Sequence, residues 1–135
     1  MTTILLIAAF HLAALAKVES NNNHLAFGRS GERTEYQILP IVLAEHGLKI
    51  EDVMKSPEAA RVVAQNIWQE RVNKFFKKHG RNPNQLELYT LWNKPEHAYK
   101  LKPTVRDRML SIKFESVLND NRNQLTRLKK HYAQK

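Results

Sequence analysis

In the stretch Leu12-Ala-Ala-Leu-Ala-Lys-Val-Glu-Ser-Asn21, a carboxylate, Glu19, follows Leu12, Leu15, Ala16 and Val18 at the end of an apolar helical pattern. Loss of water disfavours the charged form of a carboxyl group, so a Glu in such a place finds a partner or keeps its proton. A carboxyl that keeps its proton near neutral pH is a general acid, and Glu19 is the candidate for that role. The polar loop that follows carries Glu32 and Glu35, the candidates for a second acid acting as base or electrostatic stabiliser.

Other chemistries find little to build on. The chain has no cysteine, so disulfides and thiolate metal sites are excluded. The six histidines, at 11, 24, 46, 79, 97 and 131, are scattered and form no His-Glu-x-x-His pair, so no metal and no cofactor is expected. With four glycines there is no phosphate loop, no dinucleotide fingerprint and no glycine-flanked serine nucleophile.

The elements that must hold Glu19 read as one helix after another. Length, 135 residues, and 42% hydrophobic content fit one domain with a single core. The apolar run from Ile4 to Ala16 imitates a secretory signal but lacks a basic start, and it is too short for a span of about 20 apolar residues. It is expected to be the domain's central helix. A short helix is expected over 37–46, closed by Gly47. Ser56 as N-cap, Pro57 at the first position, apolar residues at helical spacing and Gly80 past the end define a long helix. Asn82 as cap, Pro83 inside the start and Pro95 as stop suggest a shorter one. A closing helix from Thr104 turns polar after Asn119, giving a body over 1–119 and a basic extension over 120–135. At most a small hairpin fits between 24 and 36. The fold class expected is therefore mainly α.

The order of these residues resembles the lysozyme-like lytic transglycosylases, the superfamily of soluble lytic transglycosylases and goose-type lysozymes. There a helix ends in Glu-Ser, and a loop leads to Gly-x-x-Gly-x-x-Gln, an apolar residue and Pro. The resemblance puts Glu19 and Ser20 on the Glu-Ser pair, Gly31 on the first loop glycine, Gln37 on the glutamine and Pro40 on the proline. Trp92 and Asn93 in "ELYTLWNKP" fall on the family's Tyr-Asn. It covers roughly residues 4–119. Two departures stand out: Thr34 in place of the second loop glycine, and Lys94-Pro95 after Asn93. A residue at positive φ there would be strained, which bears on the loop's shape and on activity.

What the resemblance implies is a lysozyme-like helical domain cleaving β-1,4-linked amino-sugar polymer. Such cleavage needs a proton delivered to a poor leaving oxygen, and an apolar site raises a Glu from about 4.3 toward about 6. The same Glu can then act as base while the substrate's own hydroxyl closes an anhydro ring, so a second acid is not obligatory. Ser20, Tyr36, Gln37, Trp92 and Asn93 are the candidate substrate-binding residues, combining aromatic faces with amide hydrogen bonds. The partner implied is the peptidoglycan glycan strand, met by a monomer with no membrane span and no nucleic acid. The location implied is periplasmic or secreted, or delivery to the wall from a phage. The net charge of +9 would concentrate the protein on an anionic wall. Two rival readings stand beside it: a basic helical nucleic-acid-binding module, with the Arg and Lys residues at 71, 74, 77, 78 and 81 and at 106, 108, 113, 122, 127, 129 and 130 lining phosphates on two helices, and an inactive relative, suggested by Thr34, that only binds glycan.

Overall fold

A computed structural model describes residues 2–134 of the chain as a mainly helical fold, 67% helix, in which isolated bridges take the place of a sheet. Among the described residues seven helices follow in order: α1 Ala9–Ser20, α2 Pro40–Glu45, α3 Ile50–Met54, α4 Pro57–His79, α5 Gln85–Asn93, α6 Pro95–Tyr99 and α7 Val105–Ala133. None of them is long and apolar enough to cross a membrane.

α4 has the bounds its sequence signals define. Ser56 Oγ accepts the Ala59 N–H, Pro57 opens the first turn, and Gly80 closes the helix at φ +69°, a left-handed conformation that glycine adopts without strain. Its buried face, Ala60, Ala64, Ile67, Trp68, Val72 and Phe75, is the middle of the core. Trp68 packs on Trp92 of α5 and Phe114 of α7 with ring centroids 5.8 Å apart in each case, and its indole N–H donates to Leu88 O. One large side chain thereby ties three helices together.

α1 begins later than the apolar run suggests. Residues 2–8 are not helical, and Ala8 is the N-cap of a helix that starts at Ala9. The reason lies in α4, whose amides serve this segment as a strand partner would. Gln69 accepts the Ile7 N–H and donates to Leu5 O, and Gln65 donates to Ile7 O. Asn82 accepts the Leu5 N–H and donates to Thr3 O, so it is not the cap of α5; Asn84 is, in a reciprocal box with Glu87. From Ala9 the helix buries Leu12, Ala14, Leu15 and Ala16. It also buries His11, whose Nδ1 accepts the Ala8 N–H and whose pKa burial pushes down to about 4, aided by the Arg122 charge.

α2 is shorter than the 37–46 stretch expected, because Gln37 lies in the preceding loop at φ +54° and Pro40 opens the helix. Pro95 does not only stop α5; it opens α6. Thr104 caps α7, and Asp107 closes that box while taking a 2.8 Å contact from His97 Nδ1. The apolar residues of α7 are buried or half-buried at Leu110, Phe114, Val117 and Leu118, but Leu125, Leu128 and Tyr132 are exposed. Among the described residues past Asn119, only Asn121 is even half-buried.

Candidate active site

Glu19 stands one residue before the end of α1, where two asparagines turn the chain. Asn21 and Asn22 take positive φ, 55° and 66°, a conformation asparagine tolerates better than most residues. Their N–H groups return to Lys17 O and Ala16 O, and Lys17 Nζ bonds Asn21 rather than Glu19. The helix therefore stops while Glu19 still faces inward.

The loop from 23 to 39 is folded back onto this end. Gly28 donates to Glu32 O, and Arg33 and Ile38 exchange backbone hydrogen bonds of 2.9 and 2.8 Å, giving the bridges Phe27–Arg33 and Arg33–Ile38. Thr34 is buried at φ +68°, so the strain expected of a threonine at this position is present. Three hydrogen bonds hold it there: its Oγ1 accepts the Tyr36 N–H, and its carbonyl accepts both the backbone and the side-chain N–H of Gln37.

A cleft of about 490 Å³ opens between this loop and the helices. Glu19, Glu32, Gln37, Trp92 and Asn93 all line it, together with Arg71 of α4 and Arg106 of α7. Glu19 Oε1 accepts a 2.8 Å hydrogen bond from the Tyr89 hydroxyl. Burial raises the Glu19 pKa above the usual carboxylate range; the Tyr89 bond opposes that rise and the Glu32 charge adds to it. Tyr89 in turn is pushed far above the usual phenol range by burial and by the Glu19 charge, so it stays a donor.

Glu32 is the other carboxylate of the cleft, with Oε1 accepting the Ser30 N–H at 2.7 Å. A Cβ on Gly28 would lie 2.5 Å from Glu32 Oε2 and 2.8 Å from Gln37 Oε1. A side chain at position 28 would therefore push the Glu32 carboxylate and the Gln37 amide aside. Across the cleft, Arg71 Nη1 donates to the carbonyls of Leu91 and Trp92, capping the end of α5 and fixing Trp92 and Asn93. Among the described residues the Asn93 side chain has no hydrogen-bond partner, so its amide is free for a ligand.

Three residues expected at the site lie elsewhere. Glu35 is buried off the cleft, its Oε1 3.1 Å from His24 Nδ1, because the turn at Thr34 points it inward. Ser20 is a latch: its hydroxyl donates to Glu35 O and accepts the Asn23 N–H. Tyr36 is a core residue whose carbonyl accepts the Trp92 indole N–H at 3.1 Å and whose hydroxyl pKa is pushed up to about 12, mainly by burial. Trp92 does both jobs, packing on Trp68 and lining the cleft.

Tyr89, Arg71 and Arg106 were not expected as site residues. Tyr89 had a readable signal, since it precedes Asn93 by four residues and so shares its helix face. Among the described residues no group of three or more His, Asp and Glu could hold a metal ion. No family model, no curated protein and no solved structure matches this chain.

Proposed function

We propose that this protein cleaves the β-1,4 bond between N-acetylmuramic acid and N-acetylglucosamine in peptidoglycan, as a lysozyme-like lytic transglycosylase. The observation that carries the reading is the Glu19 carboxyl: half-buried in a cleft, raised in pKa by that burial, and aimed by a tyrosine that stays protonated. The cleft volume of about 490 Å³ falls within the range of about 300–1,000 Å³ typical of ligand sites.

Glu19 gives its proton to the glycosidic oxygen as the C1–O bond breaks. Burial, aided by the Glu32 charge, favours the protonated form of Glu19, and Glu32 stabilises the positive charge that develops at C1. The Glu19 carboxylate then takes the proton of the sugar's 6-hydroxyl as that oxygen closes on C1, which regenerates the acid and leaves a 1,6-anhydro end. Gln37 and Asn93 supply amide hydrogen bonds, Trp92 an aromatic ring, and Arg71 and Arg106 positive charge for an anionic strand.

Lysis of purified cell walls tests the reading. The wild type is expected to clear a wall suspension, and Glu19→Gln is expected to be slower by at least about a hundredfold, the low end for a positioned acid. Equal clearing by both, or a gel shift on DNA with no effect on walls, contradicts it.

A further inference from the structure

A second hollow of about 230 Å³ adjoins the cleft, with Ile67, Arg71 and Pro95 forming part of the wall of both. On a chain of net charge +9, three carboxylates, Glu45, Glu70 and Glu96, meet three basic groups, Arg71, Lys74 and His46. Both signs are held in place. His46 Nε2 is 2.8 Å from Glu70 Oε2, and the Lys74 ammonium sits 4.5 Å from the centroid of the Tyr99 ring.

A glycan strand alone has no ammonium groups to meet such acids. Its peptide branches carry both ammonium and carboxylate groups, and they leave the sugar backbone sideways. We infer that this hollow is a subsite for the zwitterionic peptide branch of the glycan, so that strands bearing peptides are bound in preference to bare ones. The inference rests on the proposed activity for the identity of the sugar. Lys74, cradled on Tyr99, meets the branch carboxylates, and Glu96 meets its ammonium group; each side chain is exposed and free of a structural ion pair among the described residues.

The test compares two soluble probes that the reaction does not consume: N-acetylglucosaminyl-N-acetylmuramic acid with a lysine-containing tetrapeptide, and the same disaccharide without peptide. Titrated into the full chain, the peptide-bearing probe is expected to bind about tenfold tighter, from two contacts worth about threefold each. Amide signals of Lys74 and Tyr99 should shift with that probe only. The double variant Lys74→Met/Glu96→Gln should lose this advantage and keep its affinity for the bare disaccharide. Equal affinity for the two probes, or an advantage that survives in the double variant, overturns the subsite. If walls are still lysed in either case, the proposed activity stands without it. If neither probe binds and walls are not lysed, both readings fall together.

Discussion

Replacing Tyr89 with phenylalanine removes one hydroxyl and little else, and the hydroxyl is the hydrogen-bond donor that the structure gives Glu19. That bond favours the charged carboxylate, so its loss must raise the Glu19 pKa further. A hydrogen bond to a charged group contributes about 1.5–3 kcal/mol. Glu19 is only half-buried at the cleft, which argues for the low end, and about 1.5 kcal/mol corresponds to roughly one pH unit. The shift is read directly by following the Glu19 side-chain carboxyl carbon by NMR across a pH series, with Glu19→Gln to assign the signal. The alkaline limb of kcat/KM should move up by the same amount. Glu32→Gln supplies the opposite sign, because removing a neighbouring negative charge lowers the Glu19 pKa. A Tyr89→Phe protein whose Glu19 titrates unchanged or lower, or two variants that shift it the same way, would refute this picture of the site.

Because the folded-state pKa of Glu19 lies above 4.5, the folded state holds the proton longer and stability falls as pH rises from there. Glu19→Gln should therefore melt higher than wild type at pH 8, with the gap closing below pH 4.5 in thermal scans. His11 has the reverse sign of pH dependence. Its folded pKa of about 4 is below 6.5, so stability present above pH 6.5 is lost as pH falls toward 4, and His11→Gln should flatten that limb. Gln69→Ala removes the partners of the Ile7 N–H and Leu5 O and should cost about 2 kcal/mol in urea unfolding. Gly28→Ala should displace Glu32 and Gln37 and cut wall lysis while circular dichroism stays unchanged. A chain ending at Asn119 should melt within about 3 °C of the full chain, since the removed residues are almost all exposed.

How far the sequence could be read depended on whether a signal was local. The bounds of α4 come from Ser56, Pro57 and Gly80, and the start of α7 from Thr104; each of these residues satisfies or ends its own helix, so no distant partner can overrule it. Asn82 and Asn84 flank the same proline and look equally good as caps. Asn82 was drawn away by the backbone of Thr3 and Leu5, nearly eighty residues earlier, which no window along the chain reveals. The extended segment before Ala9 has the same cause, since an apolar run is compatible with helix or strand until the amides of Gln65 and Gln69 supply its hydrogen bonds.

The site was legible in its residue types and less so in their directions. Glu32 and Glu35 are equivalent as letters, and only the left-handed turn at Thr34 sends one to the cleft and the other to His24. The same turn buries Tyr36 and leaves Gln37 on the cleft wall. Arg71 and Arg106 read as members of a solvated basic face, because their place in the cleft depends on how α4 and α7 meet α1.

Mass spectrometry of the products released from purified peptidoglycan tests the central claim most directly, with wild type and Glu19→Gln run side by side. The account predicts soluble muropeptides with 1,6-anhydro ends from the wild type and almost none from Glu19→Gln. Release of the same products by Glu19→Gln, or no release by the wild type from any wall, would contradict it.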